Sequence, residues 1–220
     1  MTCSECLFLF GLWTLFSCVT GQTGRATTED DALLVYTPHP NLQNSLREHL
    51  IIPDLLRIGP EYVLDLNYGN KSVSFGNKFT PEELENEPTS LHWTCREDAI
   101  HTLIVVGLDA PTQKNHTDRE WRHWIVGNIP ANNITAGETI VPYQGVGFSF
   151  ENGPHRMVFM VYEQPWQNTI DFSEKILAES PVRPRFDTRK FAEKYSIGDP
   201  IAANFLICET NWPAPTKLTL

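Results

Sequence analysis

Four short stretches follow one another between Gly107 and Gln164. They are Gly107-Leu108-Asp109-Ala110-Pro111, Arg119-Glu120-Trp121-Arg122-His123-Trp124, the glycine turn Gly145-Val146-Gly147, and His155-Arg156-Met157 running into Val161-Tyr162-Glu163-Gln164. The run from Trp121 to Ile129 has strand periodicity, with Trp121, His123 and Ile125 expected on one face and Arg122, Trp124 and Val126 on the other. Met157 to Tyr162 is apolar throughout and Ile100 to Leu108 almost continuously so, as strands buried on both faces require. Both histidines therefore fall at or near strand ends around a glycine turn, where binding groups collect.

Working outward, Asn41 can cap a short helix carrying Leu42, Leu46 and Leu50, stopped by Pro53. Tyr62, Leu64, Leu66 and Tyr68 alternate as a strand, and Val73 and Phe75 repeat the pattern after the Gly69-Asn70 turn, which predicts a hairpin. Thr80-Pro81-Glu82-Glu83 has the form of a helix start that Pro88 soon curtails, and Leu91 and Trp93 alternate again. Downstream, Asp187 caps a helix with Phe191 and Tyr195 four apart, ended by Gly198 in the left-handed region, and Ile201 to Cys208 forms a last strand. The count is seven or eight strands without βαβ alternation, which favours an antiparallel two-layer β fold. No repeat or Gly/Ser-rich linker divides the chain, so residues 22–220 are expected to form one domain.

Hydrophobic residues make up 41% and charged ones 20%, enough to bury a core. The net charge of -10 repels phosphate backbones and argues against a nucleic-acid partner, so any bound anion needs a local positive site. The apolar run Cys6 to Phe16, followed by small residues at Val19-Thr20-Gly21, reads as a signal peptide over residues 1–21 although no Lys or Arg precedes it. It is too short to span a bilayer, and no later segment reaches membrane-helix length. Sequons at Asn70, Asn115 and Asn133 agree with a secreted, extracellular glycoprotein. Beyond the leader only Cys95 and Cys208 remain, either as one disulfide or as two separate thiols.

A phosphate or carboxylate needs several converging donors. Two imidazoles, His123 and His155, and the backbone amides of Gly145 to Gly147 can supply them, with Asp109-Ala110-Pro111 as a rim. The alternative for His123, a strand histidine between two tryptophans, is a core imidazole satisfied by one backbone partner.

In order and spacing these stretches resemble the phosphatidylethanolamine-binding protein family. The similarity runs from about Pro53 to Glu209 and includes Phe79-Thr80-Pro81 through Glu87-Pro88-Thr89-Ser90-Leu91-His92-Trp93, and Phe186 through Ala202. The resemblance implies an all-β, Greek-key-like fold of two antiparallel sheets with a few short peripheral helices. It also implies a small pocket that takes phosphate head groups and related anions. It places His123 and His155 at the two pocket histidines, Asp109 at the second Asp of an Asp-Pro-Asp-x-Pro motif, Pro111 at its last Pro, Trp121 at the pocket mouth, and Gly145 and Gly147 at the glycine turn.

The departures also fall in the pocket. Gly107 stands where the family has its first Asp, Leu108 replaces a Pro, Phe148-Ser149 replaces Pro-Pro, and Met157 stands at a usual Tyr. The Pro-broken tail does not match the family's C-terminal helix. Losing a carboxylate and a phenol makes the cavity more apolar.

The reading is a secreted module binding a small anion, a phospholipid head group or another small ligand in a His-lined pocket, with modulation of a protein partner a further role. The alternative is a protease inhibitor or signalling protein with a vestigial pocket. A hydrolase using His123 and His155 as acid and base stands last: Gly-x-Ser-x-Gly, His-Glu-x-x-His and a cysteine placed as nucleophile are all missing. No enzyme activity, cofactor or metal site is expected.

Overall fold

The computed structural model describes residues 39–147, 150–174 and 182–211. The leader, Phe148-Ser149 and the tail from Trp212 lie outside the described residues.

Helix α1 spans Pro40–Glu48, capped by the His39 side chain rather than Asn41, with Leu42 and Leu46 fully buried. Leu50, expected on the same apolar stripe, lies beyond the helix in the left-handed region and is exposed. Ten strands follow among the described residues: β1 (Tyr62–Val63), β2 (Asp65–Tyr68), β3 (Lys71–Ser72), β4 (Lys78–Phe79), β5 (Ser90–His92), β6 (Ile100–Gly107), β7 (Trp121–Pro130), β8 (Glu138–Val141), β9 (Gly153–Glu163) and β10 (Ala202–Thr210). Helix α2 (Thr188–Tyr195) begins where Asp187 accepts from the Lys190 amide at 3.0 Å. It ends one residue past Tyr195, on the left-handed Ser196 rather than at Gly198.

The larger sheet has the order β1-β10-β9-β6-β7-β8, with β4 also on β10, and the smaller one is β3-β2-β5. The expected β2–β3 hairpin is present, pairing Tyr68 with Lys71. The long central strands pair antiparallel, but β1 and β4 each pair parallel to β10. Those two edge strands are only two residues long, too short for sequence periodicity to register.

The large sheet is buried on both faces. Ile104, Val106, Ile125, Val158, Met160 and Phe205 pack with Leu42, Leu46 and Phe191 of the two helices. Leu103, Val105, Trp124, Val126, Phe159 and Leu206 pack with Leu66 and Tyr68 of the small sheet. This explains why β6 and β9 read as continuous apolar runs.

One irregularity positions the site. Pairing between β6 and β7 shifts so that Val105 faces Trp124 while Val106 faces Arg122, leaving His123 as the extra residue of a bulge. The bulge breaks the expected alternation. Trp121 and Trp124 share the small-sheet face, while Ile125 joins the helix-side core and Arg122 lies against Phe186, which packs on that same core.

Cys95 and Cys208 are free thiols, not a disulfide. Cys208 faces inward from β10 and is fully buried, whereas Cys95 sits in the loop after β5 and only packs against the same core. Burial raises both thiols, Cys208 to about 12, so they behave as small apolar side chains.

Candidate functional site

Register assembles one end of the large sheet. Trp121, Gly107, Met157 and Leu206 lie in one row across β7, β6, β9 and β10. Phe150, which lies between β8 and β9 in the chain, stands against Trp121 and beside Gly107 of that row.

His123 enters from the bulge and is fully buried. Its Nδ1–H donates to the Gln144 carbonyl at 2.6 Å, while Nε2 is buried without a partner among the described residues. Desolvation dominates its titration. It brings the imidazole down to about 4 against the smaller upward pull of the Gln144 bond, with Arg183 and His155 adding repulsion. The ring is therefore neutral at physiological pH, and Nε2 is an acceptor.

Nε2 points at Gly107. A Cβ built there would stand 2.8 Å from Nε2 and 3.6 Å from the end of the Phe150 ring. The first motif position thus leaves room for the imidazole and offers it no carboxylate.

The centre of the site is Phe150, which the sequence reading did not select. It is 2% exposed, so the ring fills the space between the pocket residues. It stacks on His123 (centroids 5.7 Å, planes 17° apart) and meets Trp121 and His155 edge-on at 5.5 Å and 5.0 Å. Its amide donates to the Gly147 carbonyl at 3.0 Å. The one available signal was an aromatic residue three positions after the second glycine of the turn.

His155 is brought beside this ring, but its nitrogens are spent on the protein. Nδ1–H donates to the Asp109 carbonyl at 2.9 Å, and Nε2 lies 2.7 Å from the Glu151 carbonyl and 3.1 Å from the Thr210 hydroxyl. The Pro111 carbonyl accepts from the Glu151 amide at 3.0 Å, so the Asp-Ala-Pro stretch shapes the pocket through its backbone.

The Asp109 carboxylate is fully buried and turned towards Arg156. Oδ2 accepts from the Arg156 amide at 2.8 Å and from its Nε at 2.9 Å, and Oδ1 pairs with its guanidinium at 2.6 Å. Arg156 also donates to the His49 carbonyl at 2.7 Å, tying the strand to the end of α1. Gly145 does not reach the rings: a Cβ there would lie 2.1 Å from the Leu84 carbonyl oxygen, so its smallness serves backbone packing. Trp121 is half-buried, and its Nε1–H, a donor, is buried without a partner among the described residues.

Among the described residues, the chemistry left open around the Phe150 ring is the acceptor His123 Nε2 and the donor Trp121 Nε1–H. Both are neutral. Burying such groups unpaired is costly, and a ligand offering a hydroxyl or carbonyl would relieve that cost.

The sequence profile described as "Phosphatidylethanolamine-binding protein" matches residues 69–206. The Drosophila melanogaster protein named "Putative odorant-binding protein A5" is 32% identical over 175 residues, covering 78% of this chain and 81% of that protein. The "26 kDa secreted antigen" of Toxocara canis is 33% identical over 156 residues, 70% of this chain and 59% of the antigen. Among solved structures, the carboxypeptidase Y inhibitor complexed with its cognate proteinase superposes with a TM-score of 0.65 at 21% identity, covering 81% of this chain and 98% of the inhibitor, which is a likeness of fold.

Proposed function

Since the chain belongs to the phosphatidylethanolamine-binding protein family, we propose that it is an extracellular binding protein whose pocket takes a small uncharged organic molecule in place of a phosphate head group. The observation that carries this is the pair of buried, unpartnered, neutral groups around Phe150, namely His123 Nε2 and Trp121 Nε1–H. A dianion would meet a neutral imidazole, a Met at position 157 and an Asp109–Arg156 pair already closed on itself. An alcohol or ketone with an apolar tail would find one hydrogen-bonding partner and an aromatic wall. The odorant-binding name carried by the Drosophila relative supports this ligand class. The inhibitor reading has only a likeness of fold behind it.

The test is calorimetric titration with 1-octanol, 2-octanone and phosphoethanolamine. The alcohol or ketone should bind in a way that depends on His123, and phosphoethanolamine should show no His123-dependent binding. Phe150→Ala should bind more tightly because no ring has to be displaced, and His123→Ala should bind octanol roughly tenfold more weakly, the worth of one net hydrogen bond. Phosphoethanolamine binding that His123→Ala abolishes, or octanol binding that ignores both substitutions, would sink the proposal.

Extracellular placement rests on the leader-like start, the secreted relative and three solvent-exposed sequon asparagines, Asn70, Asn115 and Asn133. Secreted from eukaryotic cells, the protein should lose mass on treatment with an N-glycosidase. Unchanged mass together with retention inside the cell would reject that placement. Residues 22–220 are proposed to act as one domain in this role.

A further inference from the structure

With a net charge of -10, any bound anion needs a local positive site, and a buried arginine lies away from the histidine pocket. Arg122 precedes His123 on β7 and packs on the helix side of the sheet, 7% exposed. Its guanidinium carbon stands 5.1 Å from the centre of the Phe186 ring, and its Nε is buried without a partner among the described residues. Among the described residues no carboxylate lies within ion-pair distance of it. The neighbouring Arg183 gives no relief. It donates to the carbonyls of Arg122, His123 and Pro142 and adds positive charge nearby.

Arginine stays charged in proteins, and a buried charge without a counter-ion is strongly disfavoured. Burial indeed works against this guanidinium and lowers its pKa. A cavity of about 310 Å³ opens on Arg122, with Arg185, Lys190, Lys194, Asp187 and Glu174 around it. Lys190 is paired with Asp187 at 3.1 Å and Lys194 with Glu174 at 2.8 Å, while Arg185 stands 3.7 Å from Asp118. Among the described residues Arg122 is the lining cation with no carboxylate within ion-pair distance, Glu174 acting on it only from farther away, and Phe186 and Phe191 give the cavity an apolar wall.

We propose that this cavity is an oxyanion-binding site in which the Arg122 guanidinium takes the oxygens of a phosphate or carboxylate group. The planar fork of arginine matches both. The aromatic wall favours an anion carried on an organic body, and the volume is sufficient for a phosphate monoester or a small carboxylic acid. The site lies on the opposite face of the sheet from Phe150, so it does not depend on the ligand class assigned to the histidine pocket.

The test uses the full chain at pH 7 in sodium phosphate, sodium acetate or sodium chloride at matched ionic strength. Phosphate or acetate should raise the thermal midpoint saturably above chloride. The better of the two distinguishes a phosphate monoester from a carboxylic acid as the natural class. Arg122→Gln should weaken this effect at least tenfold, while His123→Ala and Phe150→Ala should retain it. Because Arg122 is buried and its replacement can impair folding, the wild-type Arg122 Nε–H resonance provides a second reading, which should move saturably with the anion. An equal response to chloride, a resonance that stays fixed at high phosphate, or loss of the effect in His123→Ala would overturn the assignment.

Discussion

Asp109→Ala should cost about 3–5 kcal/mol of stability, the range for removing one partner of a buried ion pair. The carboxylate is fully buried and accepts three bonds from Arg156, so the substitution strands a guanidinium whose side chain is 8% exposed. Urea unfolding at pH 7 checks this. Replacing both partners, Asp109→Ala with Arg156→Met, should recover much of the loss, because paired apolar replacements of buried ion pairs are often tolerated. A loss below about 1 kcal/mol in the single variant, the level of an exposed pair, would show that the pair is not sequestered. Octanol binding by the folded fraction should change little, since the carboxylate faces Arg156.

The second large effect is on pH dependence. His123 titrates at about 4 in the folded protein and near 6.5 when unfolded. Above pH 6.5 neither state holds the proton and the residue contributes no slope. Between 6.5 and 4 the unfolded state takes up the proton and the native state does not, so stability falls with pH, by about 3 kcal/mol across the window. Below 4 the loss levels off. His101, whose pKa burial also lowers, acts in the same direction, and Glu120, whose carboxyl burial raises, acts in the opposite one. The difference between wild type and His123→Gln isolates His123: the two stability curves should converge as pH falls from 7 to 4. Parallel curves would mean that the imidazole is hydrated.

Much of the frame was legible because periodicity and caps are local. The Thr80–Glu83 capping box is present, with the Thr80 amide donating to Glu83 at 2.8 Å, although it opens only a single 3-10 turn over Glu82–Leu84. Phe191 and Tyr195 meet as their spacing predicts, edge to face with ring centroids 4.9 Å apart rather than stacked. The bulge at His123 was not legible, because it arises from the pairing of β6 with β7 and leaves no mark on β7 alone. The faces of Trp124 and Ile125 were misassigned for that reason.

The sequence alone determined the all-β frame, its central strands and the two histidines, since each follows from side-chain spacing within one segment or from motifs in a row. Whether those side chains are available for chemistry was decided by the tertiary structure. Asp109 is consumed by Arg156, His155 by carbonyls, the space between the rings is taken by Phe150, and among the described residues Arg122 emerges on the other face as a buried cation without a carboxylate in ion-pair distance. Burial and partnership set the charge and reach of a polar group, and both depend on contacts between residues far apart in the chain.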